Sequence, residues 1–509
     1  MIFCKHDLAN GKHDLISLEN FKVRKSASQV TALEQEVVQD RTICLIMDCD
    51  VTFASNYFDL LEEAFKDRNL SVVYTDFEYK SNFSSDKSRI RPPNWSQERF
   101  LSNDFLGPVF AFNSELVDAG SKLGKSTRTQ LLLSCISSGL KLRLIDQLGY
   151  VVSPENLNLK DDFRNSEVAN FLAEYRPGSK IVSSHTPWSI ISNADLAPEK
   201  ISIVIPTRGS KKNVFDPALI TECMQSLLDQ DFGNSTIEVI VVFDSDVNLD
   251  YLSEIRKFSK SNLEILFIEY TPPFNFSKKC NLGAEAASGE VVIFLNDDTV
   301  WMSANSLLEI AGCAMLEGVG AVGAKLFFKN GRIQHAGYVM RDEFIDHAYL
   351  KDFDGFGPFG DLVVTHEVVG VTGACLAQRK YVWESIGKWD ESIPAAFNDV
   401  DYCFKIREAG LSILQANLAN LTHFESLTRN PKTQPEEIDM IKRRWGHRFV
   451  DEPFFRMAVQ VPVAEEKTVE RYWLYAKRTF RHDGIKGMAG LVFNVARKAM
   501  HLEFGRSQS

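Results

Sequence analysis

Two adjacent carboxylates follow an apolar run in the stretch VIFLNDDTV, residues 292–300. Burying unpaired charge is costly, so Asp297 and Asp298 gain nothing from a buried strand unless they bind a ligand or close a turn. Carboxylate oxygens suit a hard divalent cation, Mg²⁺ or Mn²⁺, that bridges phosphate oxygens. An Asp-rich turn before the next helix explains the same letters, and these two residues alone leave both interpretations open.

Other polar residues that could act with this pair also follow apolar segments. Asp244 ends the run VIVVFD, and His423 lies in LTHFES. Asp399 and Asp401 are two positions apart before a helical pattern; the helix dipole favours carboxylates there, so N-capping explains one of them. The other is a candidate general base. His423 alone would be an ordinary structural histidine, whereas beside a carboxylate pair it is a candidate metal ligand.

The elements that must position these residues become regular from residue 201. Apolar runs such as ISIVIPT, IEVIVVFD, LEILFIE and EVVIFL alternate with helical patterns. Near-continuous apolar strands of this kind are typical of a parallel sheet that is covered on both faces. Because such sheets bind ligands at the carboxyl ends of their strands, the acidic residues above fall where a ligand is expected.

Composition limits the class of protein. With 509 residues the chain predicts two or three domains, and a net charge of −11 argues against a general nucleic-acid binder. Nine cysteines without a CxxC pair predict buried thiols in a reducing compartment. No signal peptide is visible at the N-terminus, and no run approaches the ~18 apolar residues of a membrane span. We therefore expect a cytoplasmic protein, with any membrane contact peripheral and on the inner face of the cytoplasmic membrane.

An internal repeat is the most informative feature of the organisation. Three segments of the first part of the chain have counterparts in the same order later: 47–51 with 296–300, 105–117 with 371–383, and 126–142 with 397–413. When Gly139 is aligned with Gly410, Arg128 stands where the second copy has Asp399. Val152 likewise replaces His423. The first copy is therefore predicted to be partial and non-catalytic, with a role in packing, acceptor binding or dimerisation.

These patterns divide the chain into four predicted parts. They are a partial, non-catalytic domain (1–152), a linker with one helix (153–199), a catalytic domain (200–430) and a helical, basic segment (431–509). Within the last part, residues 469–509 carry eight basic and three acidic side chains and a helical apolar stripe. That stripe predicts either a helix packed on the catalytic domain or an interfacial helix on an anionic membrane.

Five segments together resemble the inverting family-2 glycosyltransferases of the GT-A fold. They are ISIVIPTRG, FNFSKKCNLGAEAASGEVVIFLNDDT, GRIQHAG, VTGACLAQRKYVWESIGKWDE and FNDVDYCFKIREAG followed by LTHFES. The chain is most similar to bacterial enzymes of O-antigen and surface-polysaccharide assembly, over about residues 200–430. The resemblance implies an α/β fold with a Rossmann-like parallel sheet, preceded by a partial GT-A-like copy and followed by a helical C-terminal segment.

The resemblance also implies a role for each matching residue. Asp399 would be the catalytic base, and Asp298 and His423 would hold Mn²⁺ or Mg²⁺. The nucleotide side would consist of Pro206, Thr207, Arg208, Asp244, Asn281 and Asp297. The acceptor side would consist of Gly373, Ala374, Trp389 and Asp390. Asn296 takes the place of the first Asp of the DxD motif.

The function implied by this resemblance is metal-dependent transfer of a sugar, with inversion, from a nucleotide-diphosphate donor to a glycan or polyprenyl-linked acceptor. The pathway would be the synthesis of a bacterial surface polysaccharide. A catalytically silent carbohydrate-binding or scaffold protein of the same pathway is the alternative. The intact set of Asp298, Asp399 and His423 favours the enzyme.

Overall fold

The computed structural model describes residues 2–7, 12–16, 42–47, 51–80, 87–113, 128–152, 164–185, 188–213, 215–247, 249–271, 273–341, 344–424, 435–449 and 452–456. The basic segment 469–509, Asp48 and Asp50 lie outside these ranges, and what the sequence predicts for them stays a prediction. Within the described ranges, no helix is both long enough and apolar enough to cross a membrane.

The N-terminal part of the chain builds one mixed sheet with helices. Its described strands are β1 (Ile2–Asp7), β2 (Lys12–Ile16), β3 (Thr42–Met47), β4 (Val51–Phe53), β5 (Leu70–Lys80), β6 (Lys87–Ile90), β7 (Val109–Asn113) and β8 (Lys141–Val152). Its described helices are α1 (Tyr57–Ala64), α2 (Gln97–Ser102) and α3 (Arg128–Ser137). The strands lie in the order β2-β1-β3-β7-β5-β8-β4, and β6 pairs with β5.

The segment predicted as a linker contains more structure than the one expected helix. The described elements there are α4 (Arg164–Tyr175), β9 (Lys180–His185) and β10 (Trp188–Ser192), and the two strands form an antiparallel hairpin. Leu172 and Ile191 are buried in the core of the N-terminal sheet. On the other side, the buried Glu309 accepts hydrogen bonds from Ser192 and from the backbone of Asn193. Apolar burial on one side and a polar anchor on the other hold this segment between the two sheets.

The second sheet carries the candidate site. Its described strands are β11 (Lys200–Thr207), β12 (Thr236–Asp244), β13 (Leu263–Tyr270), β14 (Val291–Leu295), β15 (Thr299–Trp301), β16 (Val319–Phe327), β17 (Ile333–His335), β20 (His366–Glu367), β21 (Cys375–Arg379) and β22 (Ser412–His423); a separate hairpin consists of β18 (Tyr338–Arg341) and β19 (Phe344–His347). Its described helices are α5 (Leu219–Leu228), α6 (Asp250–Arg256), α7 (Phe276–Ala286), α8 (Ser306–Ala314), α9 (Lys380–Ser385) and α10 (Asn398–Glu408). The main path through the sheet is β13-β12-β11-β14-β21-β16-β22-β15.

Burial explains why the central strands read as continuous apolar runs. Residues 201–207 of β11 are all buried, and alternate side chains enter different cores: Ile203 packs on one face of the sheet and Val204 on the other. A strand that is covered on both faces is therefore mostly apolar along its length. The sheet is mixed, however, because β21 runs antiparallel to both β14 and β16. Parallel neighbours need a crossover connection, usually a helix, whereas the chain enters β21 from β20 through residues 368–374.

The two sheets share the topology that the sequence repeat predicts. The path β3-β7-β5-β8-β4 of the first corresponds to β14-β21-β16-β22-β15 of the second. The directions also agree: β5 is parallel to β8 as β16 is to β22, and β4 is antiparallel to β8 as β15 is to β22. The first sheet is therefore a partial copy of the second.

The two sheets are joined by buried polar contacts. The Arg99 guanidinium of α2 pairs with Asp361, and both side chains are almost completely buried. Beside this pair, Ser96 hydrogen-bonds the Glu367 carboxylate, which also accepts the backbone N–H of Gln97 at 3.0 Å. The N-terminal copy is thus fixed to residues 361–367, which end in β20.

After the second sheet, helix α11 (Pro435–Trp445) covers α10. Ile441 and Trp445 are buried against Phe404 and neighbouring apolar side chains. This is the described portion of the predicted helical C-terminal part.

Candidate functional site

The carboxyl ends of three adjacent parallel strands meet at one edge of the second sheet. β11 lies between β12 and β14 and is parallel to both. β11 ends at Thr207, β12 ends at Asp244, and Asn296, Asp297 and Asp298 follow β14 directly. The parallel register therefore brings together acidic residues that are far apart in the sequence.

Thr207 and Asp297 form the centre of this edge. The Thr207 hydroxyl donates to an Asp297 carboxylate oxygen at 2.5 Å and accepts the backbone N–H of Gly209 at 2.9 Å. Burial, and next the adjacent Asp298, raises the pKa of Asp297 to about 7. A carboxyl group in this state is one whose ionised form a nearby cation would favour strongly.

A buried lysine that the sequence did not single out anchors the same edge. Lys279 Nζ of α7 lies 3.0 Å from Asp244 Oδ1 and donates to the Thr207 carbonyl at 2.8 Å. The side chains of Lys279 and Asp244 are each only 1% exposed. On the outer side Arg208 Nε lies 3.1 Å from the second Asp244 oxygen, and that arginine is partly exposed. Asp244 thus lies between a buried and an exposed cation.

The metal-binding candidates Asp298 and His423 are in contact. Asp298 Oδ1 lies 3.0 Å from His423 Nε2, because β15 pairs with β22 so that Thr299 is opposite His423. His423 Nδ1 lies 2.8 Å from the amide oxygen of Gln334. Since that oxygen only accepts, Nδ1 carries a proton in this contact, and the ring is held with Nε2 facing Asp298.

The residues of this pair fit a divalent cation: they would supply two of its ligands, and a bound diphosphate would supply others. A carboxylate oxygen and an imidazole nitrogen face each other, and the second carboxylate, Asp297, lies beside them. Among the described residues no cluster of three or more His, Cys, Asp or Glu side chains could enclose a metal ion. Mg²⁺ in phosphate-handling proteins commonly has only one or two protein carboxylates, with substrate phosphates and water as the other ligands.

The candidate base Asp399 is held at the second residue of α10. Its Oδ2 accepts hydrogen bonds from the Tyr338 hydroxyl at 2.9 Å, the Thr372 hydroxyl at 3.2 Å and the Gly373 backbone at 3.0 Å. Its Oδ1 accepts the backbone N–H of Val400 at 2.9 Å. Three donors therefore fix one oxygen, and the other has one backbone bond at a partly exposed position.

Two residues connect the base with the acidic edge. Gly373 donates to Asp399, and the carbonyl of the next residue, Ala374, accepts the backbone N–H of Asn296 at 3.0 Å. A side chain at Gly373 would lie 3.2 Å from Trp389 and 3.5 Å from the Cβ of Asp399. The predicted acceptor-side residues Gly373 and Ala374 thus lie between the base and the metal candidates.

The other acid of the pair, Asp401, has a packing role. It is fully buried, and its Oδ1 accepts hydrogen bonds from Arg444 Nη1 at 2.7 Å and Trp445 Nε1 at 2.9 Å. Lys405 Nζ lies 3.2 Å from its second oxygen. Asp401 therefore attaches α11 to α10, and the two acids of FNDVD divide into a site residue and an anchor.

Three predicted site residues lie beneath or beside this edge. The buried side chain of Asn281 bonds both backbone groups of Trp389, at 2.9 and 3.1 Å, and Trp389 stacks on Tyr402. Burial raises the pKa of Asp390, but hydrogen bonds from Ser392 and Arg444 outweigh it and bring that pKa to about 2. These contacts hold in place the residues that lie beneath the site. The ligand contacts predicted for Asn281, Trp389 and Asp390 stay predictions.

The corresponding position of the first copy is closed by an ion pair. Arg128, which takes the place of Asp399, pairs with Asp104 at 2.5 Å and donates to the Gly107 carbonyl at 2.5 Å. Val152, in the place of His423, is fully buried. A cation thus lies in the place of the base and an apolar residue in the place of the metal ligand, and the predicted loss of catalysis in this copy stays a prediction.

Comparison with known proteins agrees with the family resemblance of the sequence motifs. Residues 198–448 match the family model described as Glycosyltransferase like family 2. The uncharacterized protein y4gI of Sinorhizobium fredii is 33% identical over 263 residues, which make up 49% of this chain and 28% of that protein. The O-antigen biosynthesis protein RfbC of Myxococcus xanthus is 31% identical over 240 residues, 47% of this chain and 18% of that protein.

A shorter match is to the poly(ribitol-phosphate) beta-N-acetylglucosaminyltransferase TarS of Staphylococcus aureus. It is 35% identical over 101 residues, which make up 19% of this chain and 16% of that protein. The matched part of this chain therefore spans less than a third of each of these three relatives.

Proposed function

We propose that the chain, of which residues 198–448 match the model of Glycosyltransferase like family 2, is an enzyme of that family with a GT-A fold, and that it moves a sugar from a nucleotide-diphosphate donor to a hydroxyl group of a glycan or lipid-linked acceptor. Transfer would need a divalent cation and would invert the anomeric configuration. The observation that carries this proposal is the contact of Asp298 with His423 beside Asp297, on the sheet edge that Gly373 and Ala374 join to Asp399.

The donor side of the proposal rests on Thr207, Arg208 and Asp244. The partly exposed Arg208 and the buried carboxylate beside it lie where the nucleoside would enter, at the carboxyl end of β11 and β12. Pro206 keeps the end of β11 extended next to them. Asp244 is also paired with Lys279, which leaves the Arg208 side chain able to turn toward a ligand.

The metal would be held by Asp298 and His423, with Asp297 next to it. Mn²⁺ or Mg²⁺ bound there would neutralise the negative charge that develops on the diphosphate leaving group. Gln334 keeps the Nε2 lone pair of His423 available for this role. Asn296 Nδ2 lies 3.3 Å from the same nitrogen, a contact that a bound cation would replace.

Asp399 would accept the proton of the acceptor hydroxyl through Oδ1, because Oδ2 is already bonded to Tyr338, Thr372 and Gly373. The hydroxyl oxygen forms the new bond to the anomeric carbon as the bond from that carbon to the diphosphate oxygen breaks. One displacement from the opposite face of the sugar gives inversion, and no covalent intermediate is required.

The acceptor class is proposed from the relatives. RfbC is named for O-antigen biosynthesis, and TarS for glycosylation of poly(ribitol-phosphate). We propose that this chain likewise acts in the synthesis of a bacterial surface glycan, in the cytoplasm, with a polyprenyl-linked or polymeric acceptor. Residues 469–509 would then hold it at the inner face of the membrane, since their positive charge and apolar stripe suit anionic lipid.

The test is a screen of nucleotide sugars for metal-dependent hydrolysis and for thermal stabilisation of the full chain. We expect one or a few donors to be hydrolysed slowly with Mn²⁺ or Mg²⁺ and not with a chelator. Asp399→Asn should still be stabilised by the same donor but should not turn it over. If no nucleotide sugar binds with any divalent cation, the alternative of a silent scaffold protein is favoured instead.

A further inference from the structure

The five-residue segment QHAGY, Gln334–Tyr338, contacts both halves of the candidate site. It runs from the end of β17 into β18. The metal half is the pair Asp298 and His423, and the base half is Asp399 with its donors. The predicted catalytic and ligand-binding residues did not include any member of this segment.

Gln334 contacts the metal half because β17 has an irregular register. β17 pairs with β16 so that His335 is opposite Leu326 and Ile333 is opposite Phe327, which leaves Gln334 as the extra residue of a bulge. A bulge interrupts the alternation of side chains and re-aims one of them. The re-aimed side chain, which is 4% exposed, accepts His423 Nδ1–H at 2.8 Å.

His335 contacts the base half. Its ring is fully buried, and Nε2 accepts the backbone N–H of Thr372 at 3.2 Å, while Nδ1 lies 2.8 Å from Nδ1 of His347. Burial, and next His347, lowers the pKa of His335 well below its usual range, so the ring is neutral and able to accept. Thr372, held by its backbone in this way, directs its hydroxyl to Asp399.

The rest of the segment fixes the same loop. Tyr338 donates its backbone N–H to the Gly370 carbonyl at 2.8 Å and its hydroxyl to Asp399 at 2.9 Å. Gly337 has φ +93°, and a Cβ there would lie 2.7 Å from the nearest Val368 methyl carbon. The chain can therefore make this close turn only with glycine at position 337.

We infer that Gln334 and His335 are positioning residues for the two halves of the site, Gln334 for the metal-binding histidine and His335 for the loop that holds the base. This inference rests on the proposed function. Two neighbouring residues of one short strand would thus fix the spacing between the leaving-group side and the acceptor side. Their substitutions should have separable effects, although the two side chains are adjacent in the sequence.

The test compares Gln334→Met and His335→Leu in the full chain. Mn²⁺ affinity is measured from the electron paramagnetic resonance signal of free Mn²⁺, with the nucleoside diphosphate that stabilises the wild-type protein present. Gln334→Met should weaken Mn²⁺ binding roughly 10- to 100-fold, the usual effect of removing a partner of a metal-binding histidine. Its kcat should largely recover at saturating Mn²⁺.

His335→Leu should keep Mn²⁺ affinity within about twofold of wild type, because the hydrogen bonds of His335 go to Thr372 and His347 and not to the metal-binding pair. Its kcat for the donor found in the screen should fall roughly 10- to 100-fold with little change in KM, since only the loop that holds the base is displaced. His335→Gln, whose amide oxygen can take the place of Nε2, should restore most of that kcat. Matched controls are Gln378→Met and His366→Leu, which alter a buried glutamine that bonds Tyr402 and a buried histidine that lies 3.1 Å from the Val364 carbonyl; neither partner belongs to the metal half or the base half.

Thermal unfolding is measured for every variant, so that a variant that fails to fold is distinguished from one that folds with a displaced site residue. The inference is overturned if Gln334→Met leaves Mn²⁺ affinity unchanged, if both substitutions weaken metal and kcat alike, or if each matches its control. His423→Ala identifies the level of failure. If it abolishes Mn²⁺ binding while Gln334→Met does not, only the positioning role fails; if it has no effect, the metal site fails and this inference fails with it.

Discussion

Lys279→Met should destabilise the catalytic sheet, because it leaves a buried carboxylate without its buried partner. Lys279 Nζ lies 3.0 Å from Asp244 Oδ1, and both side chains are 1% exposed. Methionine fills a similar volume but cannot pair with the carboxylate or donate to the Thr207 carbonyl, which now accepts at 2.8 Å. The perturbation thus removes one charge and keeps the packing.

The size of the expected stability loss depends on Arg208, the cation that remains beside Asp244. Removing one member of a buried ion pair costs about 3–5 kcal/mol. Arg208 stays 3.1 Å from the other Asp244 oxygen and still compensates part of its charge, although solvent screens this pair because the arginine side chain is 44% exposed. We therefore place the loss near the lower end of that range, about 3 kcal/mol. For the predicted catalytic domain, residues 200–430, a loss of about 3 kcal/mol corresponds to a decrease in Tm of about 6–12 °C, measured by calorimetry on the full chain.

Two controls make the result specific. Lys278→Met alters the exposed neighbour on the same helix and should change Tm by less than about 2 °C. Lys279→Met combined with Asp244→Leu removes both charges and should be more stable than the single variant, because a buried pair can be replaced by apolar residues at little cost. A double variant that is less stable than Lys279→Met alone would refute the argument that the uncompensated carboxylate causes the loss.

Three further predictions concern pH, metal and membrane. Burial, and next Glu98, raises the pKa of Glu367 to about 7, so the stability that this group contributes near pH 4.5 is lost as the pH rises toward 7. Glu367→Gln should therefore raise Tm at pH 8 and not at pH 4.5. Equal Tm shifts at both pH values would contradict this. Asp298→Ala and His423→Ala should each weaken metal-dependent diphosphate binding in calorimetry, whereas Asp50→Ala should not; loss of binding in Asp50→Ala would show that the first copy is not silent. Deletion of residues 469–509 should abolish binding to anionic liposomes and leave activity on a soluble acceptor analogue intact. Salt should also weaken the liposome binding of the full-length protein. Equal liposome binding by the full-length and truncated proteins would make this segment a packing element.

The first four strands of the second sheet, β11–β14, and the order of the repeat could be predicted because both depend on local sequence. A parallel strand that is covered on both faces is mostly apolar along its length, so the patterns ISIVIPT and VVIFL predict strands. The contact between Asp298 and His423 was predicted from the resemblance, and the antiparallel pairing of β15 with β22 explains it physically. These features need only the pattern of one segment or the spacing of a motif.

The contacts that tune the site depend on the fold and could not be predicted in the same way. Lys278 and Lys279 are adjacent in KKC, and only the packing of α7 on β11 and β12 shows which one is buried. The role of Gln334 depends on a bulge, which no local signal in GRIQHAG specifies. The hairpin β9–β10 in the predicted linker likewise needs both sheets, since Ile191 packs on one and Ser192 bonds to Glu309 on the other.

The exchange of Asp399 for asparagine tests the proposed enzyme most directly. Asparagine keeps the size of the side chain and an oxygen that can accept from Tyr338, Thr372 and Gly373, but it cannot take the acceptor proton. With the donor found in the screen, transfer by Asp399→Asn should fall about 10²- to 10⁴-fold, while metal-dependent donor binding in calorimetry stays within about twofold of wild type. Near-normal transfer by a clean preparation of Asp399→Asn would remove this residue from the role of base and contradict the account.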